Sequence, residues 1–280
     1  MQPGPARSGI DVIKPASRHS VAARARRPRL VALASGKGGV GKTWLALTLA
    51  HALCQKRQRV LVFDADFGLA NADVQLGELP SRDIGAVLRG ETGIGDSIVR
   101  VASGGFDLLA GPSGSGALAD FPPELAEPLI DRLTEAAGHH DVVLLDLGSR
   151  VDAPHRTLAA RADAVILVVT EDPASLTDAF AVMKLLKADR KAINQPINVQ
   201  TVVNQASSLE AGKRAHAALG RAARGFLRLD PPLLGIIVDD PHVSEAIRGQ
   251  RLLLSQYPDT AAGAEVKRIA RRLLMRLPGR

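Results

Sequence analysis

The chain has 280 residues, of which 46% are hydrophobic and 3% aromatic, with 36 basic side chains against 29 acidic ones and one cysteine. The single Cys54 excludes an intrachain disulfide, a four-cysteine zinc site and a cysteine-held iron–sulfur cluster within one subunit, and points to a reducing cytosol. No apolar run reaches the roughly 18 residues of a spanning helix, and the Arg-rich start lacks the apolar stretch of a secretory signal, so the expectation is a cytoplasmic protein.

Charge is concentrated at the ends. Residues 1 to 29 hold seven basic residues against Asp11, and residues 267 to 280 hold six more and no acid, which leaves the intervening body acidic. With Pro3, Pro5, Pro15 and Pro28 and no aromatic residue, segment 1–29 is expected to be a disordered, solubilising arm. Its alternative reading is an electrostatic contact with nucleic acid or anionic lipid.

From residue 30 to 277 the pattern is that of one domain. Short, continuously apolar runs at 30–34, 60–63, 106–109, 142–145, 164–169, 199–203 and 233–237 are expected strands buried on both faces. Helical stretches lie at 42–56, 123–137, 174–188, 208–226 and 259–277. The alternation predicts an α/β fold, a single doubly wound and mostly parallel sheet with helices on both faces, whose ligand lies beyond the C-terminal strand ends.

The string SGKGGVGKT, residues 35–43, connects the first strand to the first helix and satisfies the phosphate-loop pattern with Gly36, Gly41, Lys42 and Thr43. The backbone N–H groups of Gly36 to Trp44, with Gly38, Gly39 and Val40 between them, suit a phosphate cradle. The helix N-terminus adds its positive end, Lys42 reaches the terminal phosphates, and the Thr43 hydroxyl takes Mg2+. An early second lysine, Lys37, is not needed for cradling phosphate within one subunit. The second strand ends in Asp64 and Asp66, which share a face beside the phosphates, one suited to the metal shell and the other to orienting water. In DVVLLDLGSR, residues 141–150, four apolar residues lead into Asp146 as a second Mg2+-side acid, and Gly148 would present its N–H to the γ-phosphate.

The whole GKGGVGKT string resembles the deviant phosphate loop of the MinD/ParA ATPases. That resemblance implies ATP and Mg2+ as cofactors, Lys37 reaching across a nucleotide-sandwich homodimer, Asp66 as the water-activating carboxylate, Asp64 near the metal and Asn204 as the adenine-recognising residue. The segments GLANADVQLG, DIGAVLRGE, FDLLAGPSGSG, SLTDAFAVMKLLK, VVNQASS, DDPHVSEAIRGQRLLL and YPDT are similar to one branch, the MinD-like regulators of flagellar number and placement (FlhG/FleN). The branch implies a slow, partner-stimulated switch ATPase, placed in the cytoplasm or peripherally at the inner membrane or cell pole. Its partners would be a flagellar SRP-type GTPase, a flagellar transcription activator or basal-body switch proteins. The short N-terminal motif by which relatives stimulate that GTPase is not recognisable here.

Two residues depart from the family pattern. Trp44 stands where close ParA relatives carry Thr, which keeps a backbone N–H but forfeits a hydroxyl contact worth about 1 kcal/mol. Arg150 replaces the second glycine of D-T-G-A-G, either as a surface arginine that stiffens the segment or as a further phosphate contact. These departures keep an ATP-binding regulatory module with little or no hydrolysis as an alternative; within the superfamily the other alternative is a ParA-type partition or protein-positioning ATPase with nonspecific DNA binding. Iron–sulfur carriers, nitrogenase iron proteins and autophosphorylating tyrosine kinases are excluded by the cysteine and tyrosine counts. His139 and His140 have no spaced Cys or His partner and read as helix-end residues. Ser113 and Ser115 lack a nucleophile-elbow pattern. The terminal helix is expected to close the core; its basic and apolar faces leave a weak contact with anionic membrane as the alternative.

Overall fold

The computed structural model describes residues 27–77, 80–112 and 121–277. Nearly all of the N-terminal arm, and Ser113 and Ser115, lie outside the described residues. In chain order the elements are β1 (Arg29–Ala34), α1 (Lys42–Cys54), β2 (Val60–Ala65), α2 (Ala72–Leu76), α3 (Ile84–Leu88), β3 (Ile98–Val101), β4 (Phe106–Leu109) and α4 (Ala126–Ala136). There follow β5 (Val142–Leu147), α5 (Ala153–Arg161), β6 (Ala164–Val169), α6 (Pro173–Ala192), β7 (Val199–Ala206), α7 (Leu209–Ala222), β8 (Leu233–Val238), α8 (Pro241–Arg248), α9 (Leu253–Gln256) and α10 (Ala261–Arg276).

The strands form one sheet in the order β3-β4-β2-β5-β1-β6-β7-β8. All neighbours are parallel except the edge pair, where β3 runs antiparallel to β4 with Ile98 opposite Leu109. The sequence reading finds every parallel strand and misses β3, because Arg100 interrupts its four residues and an edge strand buries too little to need a continuous apolar run. It also misses the short helices α2, α3, α5, α8 and α9. Two of these are set by local chemistry: the Asp152 carboxylate caps α5 and that of Asp240 caps α8, each followed closely by a proline in the first turn.

A core lies on each face of the sheet. On one side Leu129, Ile130 and Leu133 of α4, Leu158 of α5, Met183 and Leu186 of α6 and Leu219 of α7 cover the strands. On the other, Leu45, Leu49 and Leu53 of α1 meet Val266, Ile269, Ala270 and Leu273 of α10, which packs on both α1 and β8. The apolar face of α10 is therefore spent inside the domain, as expected of a closing helix. Among the described residues no helix is long and apolar enough to cross a membrane.

Candidate functional site

The parallel strands β1, β2 and β5 end side by side, and their register fixes what meets there. Asp64 is the cross-strand partner of Asp146, and Leu33 of β1 is its partner on the other side. The loop after β1 thus lies directly over two carboxylates. Gly39 and Gly41 hold positive φ values of 76° and 86°, the left-handed region in which a side chain is strained, so the loop turns its N–H groups inward without steric penalty. Lys42 opens α1 almost fully buried, and its ammonium donates to the Ser35 hydroxyl at 2.9 Å. Ser35 in turn donates to the Lys37 carbonyl at 2.7 Å, closing the loop on itself.

The three acids are not equivalent. Asp64 accepts from the backbone N–H groups of Asp66 (3.2 Å), Asn71 (2.9 Å) and Ala72 (2.9 Å), so it anchors the loop that carries Asp66 into α2. Asp66 is half-buried, and its Oδ1 accepts from the N–H groups of Gly68 and Leu69 at 3.2 and 3.0 Å. Asp146 is 1% exposed, and among the described residues neither of its oxygens completes a full hydrogen bond, the Thr43 hydroxyl being its nearest donor. A buried carboxylate without a partner is costly unless a cation meets it. Burial, and then the charge of Asp64, push Asp146 up to about 8, against the pull of the Thr43 hydroxyl and the Lys42 ammonium. Burial likewise raises Asp64 to about 6, opposed by its three N–H donors. Burial lowers Lys42, and the nearby Asp146 and Asp66 offset part of that shift. The donor set, two carboxylates and a hydroxyl with all-oxygen chemistry, fits a hard divalent cation such as Mg2+. Asp146 and Thr43 offer the open positions, whereas the lone pairs of Asp64 are largely taken.

Gly148 follows β5 with its Cα against Asp66. A Cβ there would come within 2.9 Å of the Asp66 carboxyl carbon, so only glycine lets the two segments approach. Arg150 is exposed and does not lie free: its Nε is 3.0 Å from Asp152, whose other oxygen accepts from His155 Nδ1 at 2.5 Å. In this state it is a surface arginine tied to the cap of α5, as the first of the two sequence readings has it.

The remaining sequence candidates occupy the rim. Lys37 is half-exposed and ion-paired with Asp172, the cap of α6. Gly36 leaves no room for a Cβ, which would collide with the Asp178 backbone at 2.5 Å. Asn204, at the end of β7, is buried and donates to the Val40 carbonyl at 2.8 Å, while the next residue, Gln205, donates to Gly39 at 3.2 Å. Both brace the loop from outside. Beside them Lys37, Gly38, Gly39, Val40, Thr170, Asp172 and Gln205 line an open cleft of about 600 Å³. The Trp44 side chain lies in the core cluster around α1 and does not line this cleft, and its buried indole N–H has no partner among the described residues.

The sequence reading overlooks Gln205, which sits at a φ of +54°, and the Asp172 partner of Lys37; neither carries a local motif. It also sets aside His139 and His140, yet the sheet brings Asp107 to within 2.8 Å of His140 across 33 residues of chain.

Comparison with known proteins agrees with this geometry. The model of the CobQ/CobB/MinD/ParA nucleotide binding domain matches residues 31–253. The antiactivator FleN of Pseudomonas aeruginosa is 31% identical over 88% of this chain and 86% of its own length. The flagellum site-determining protein YlxH of Helicobacter pylori is 28% identical over 89% and 83%. Among solved structures, the septum site-determining protein MinD of Pyrococcus horikoshii, in complex with Mg-ADP, superposes with a TM-score of 0.74 at 23% identity, over 88% of this chain and 96% of that one. The chain thus belongs to the CobQ/CobB/MinD/ParA nucleotide-binding family.

Proposed function

We propose that this protein is an Mg2+-dependent ATPase that dimerises around ATP and uses the cycle as a switch in regulating flagellar number and placement. The observation that carries the reading is Asp146, a buried carboxylate that completes no full hydrogen bond among the described residues, beside Thr43 and Lys42 at the mouth of a phosphate loop. Mg2+ bound there would neutralise the paired acids and the terminal phosphates together.

The chain's own residues divide the remaining work. The N–H groups of Gly36, Gly38, Gly39, Val40, Gly41, Lys42, Thr43 and Trp44 hold the phosphates at the start of α1. Thr43 and Asp146 would hold the metal, and Asp64 would add charge from behind them while it fixes the Asp66 loop. Asp66 keeps that loop with Oδ1, which leaves Oδ2 to orient the attacking water. With ATP bound, the Gly148 N–H would serve the γ-phosphate, and Lys42 would stabilise the charge that develops on it. Lys37 leaves Asp172 for the partner's phosphates when two copies close on ATP. Asn204, which holds the Val40 carbonyl from the end of β7, is by resemblance the residue that would recognise adenine.

The flagellar assignment draws support from FleN and YlxH, whose names speak of antiactivation and flagellum site determination. By the same likeness the partners would be a flagellar transcription activator, an SRP-type GTPase or basal-body switch proteins, met in the cytoplasm or at the cell pole. The biochemical test is phosphate release from ATP with and without Mg2+, in the parent and in Lys42→Ala. The biological test is the flagellar count in cells lacking the gene. Metal-dependent release lost in Lys42→Ala, together with an altered count, is expected. No release, or release that survives Lys42→Ala, would defeat the ATPase reading, metal-independent release would defeat the Mg2+ dependence, and an unchanged count would defeat the flagellar assignment.

A further inference from the structure

The sheet has a second cluster of ligating side chains at its other end. Asp107 is the second residue of β4 and His140 lies just before β5, so both sit at the N-terminal strand edge, opposite the phosphate loop. His140 Nε2 is 2.8 Å from Asp107 Oδ2, and the rings of His139 and His140 lie 4.0 Å apart. One ligating atom from each of Asp107, His139 and His140 falls within 4.8 Å of the others. The other Asp107 oxygen is held by Arg100 of the edge strand at 3.0 Å, which orients the carboxylate and leaves Oδ2 facing the imidazoles.

We propose that Asp107, His139 and His140 form a binding site for a borderline divalent transition metal such as Zn2+, separate from the nucleotide site. In a neutral ring a proton on Nε2 satisfies the contact with Asp107. A metal ion that replaces this proton takes the same two atoms as ligands, and their 2.8 Å separation is near the roughly 3.3 Å ligand–ligand edge of a tetrahedral site with bonds of about 2.0 Å. His139 is exposed and closes the set from solvent, which leaves the fourth position to water. The three groups whose ligating atoms converge are two imidazoles and a carboxylate. That set selects Zn2+, Co2+ or Ni2+ over Mg2+. The bound ion would clip the α4–β5 connection to β4 and, through Arg100, to the edge strand.

The test uses untagged full-length protein, stripped with EDTA and held in excess Mg2+ and ADP so that the nucleotide site is filled. Co2+ is titrated while visible absorption is followed, and Zn2+ then competes it away. One equivalent should bind, and Zn2+ should raise the melting temperature. His139→Ala, an exposed position where truncation spares the fold, and the isosteric Asp107→Asn should each weaken binding by at least about tenfold. Without metal, His139→Ala should melt like the parent. Equal affinity in the parent and His139→Ala, or no saturable binding in excess Mg2+, would overturn the site.

Discussion

Asp64 and Asp146 face each other across the β2–β5 ladder, one with three backbone donors on its carboxylate and the other with none. The pairing places two buried acids under the phosphate loop before any ligand arrives. Both pKa values are raised, to about 6 and about 8, so the folded state holds protons that the unfolded chain, with carboxylates near 4, releases. Stability from that protonation is present at low pH and lost as pH rises through the folded values.

The melting temperature of Mg2+-free, nucleotide-free protein should therefore fall by a few degrees between about pH 6 and 8. Asp146→Asn should flatten that slope and melt higher than the parent at the alkaline end, while losing Mg2+ binding. A parent whose melting point is level across this window would contradict the assignment.

Asp66 and Gly148 form the next relationship with consequences. Asp66→Ala should retain ATP, accumulate as a dimer and lose turnover by about 100-fold, the scale of a positioned base. Gly148→Ala should also lose turnover, because its Cβ would stand within 2.9 Å of the Asp66 carboxyl carbon. Single-turnover hydrolysis beside nucleotide binding separates the two effects. Parent-like turnover in Asp66→Ala would move the role elsewhere.

Arg150 ties the segment after β5 to Asp152 and thereby to the start of α5. If that tie restrains the switch, Arg150→Gly should raise basal turnover or its response to a partner. Unchanged rates and unchanged dimerisation in Arg150→Gly would put residue 150 outside the switch.

Removal of residues 264–280 strips Val266, Ile269, Ala270, Leu273 and Leu277 from the core. At roughly 1.5 to 3 kcal/mol for each large apolar side chain, the loss rivals the whole stability of a domain. The truncated protein should fail to give a cooperative melt. A truncated form that melts like the parent and merely loses affinity for anionic vesicles would instead assign α10 to the membrane.

The parallel strands and the loop were legible because their signals are local: continuous apolar runs for strands buried on both faces, and a fixed spacing of glycines, lysine and threonine. Asp64, Asp66 and Asp146 were legible because each closes such a run. What stayed hidden depends on partners distant in sequence. Asp172 meets Lys37 across 135 residues and Asn204 meets Val40 across 164, and no spacing rule brings either pair together. The edge strand β3 escaped because Arg100 earns its place by pairing with Asp107 of β4, a contact that exists only after the sheet is built.

The central claim is that two copies close on ATP with Lys37 crossing between them, and light scattering with each nucleotide tests it most directly. With Mg2+ and ATP the parent should shift from the 29.5 kDa chain mass to twice that value, and with ADP it should not. Lys42→Ala should lose nucleotide altogether, whereas Lys37→Ala should bind ATP yet stay monomeric and inactive. A mass that ignores the nucleotide in the parent, or a Lys37→Ala protein that dimerises and turns over like the parent, would contradict the account.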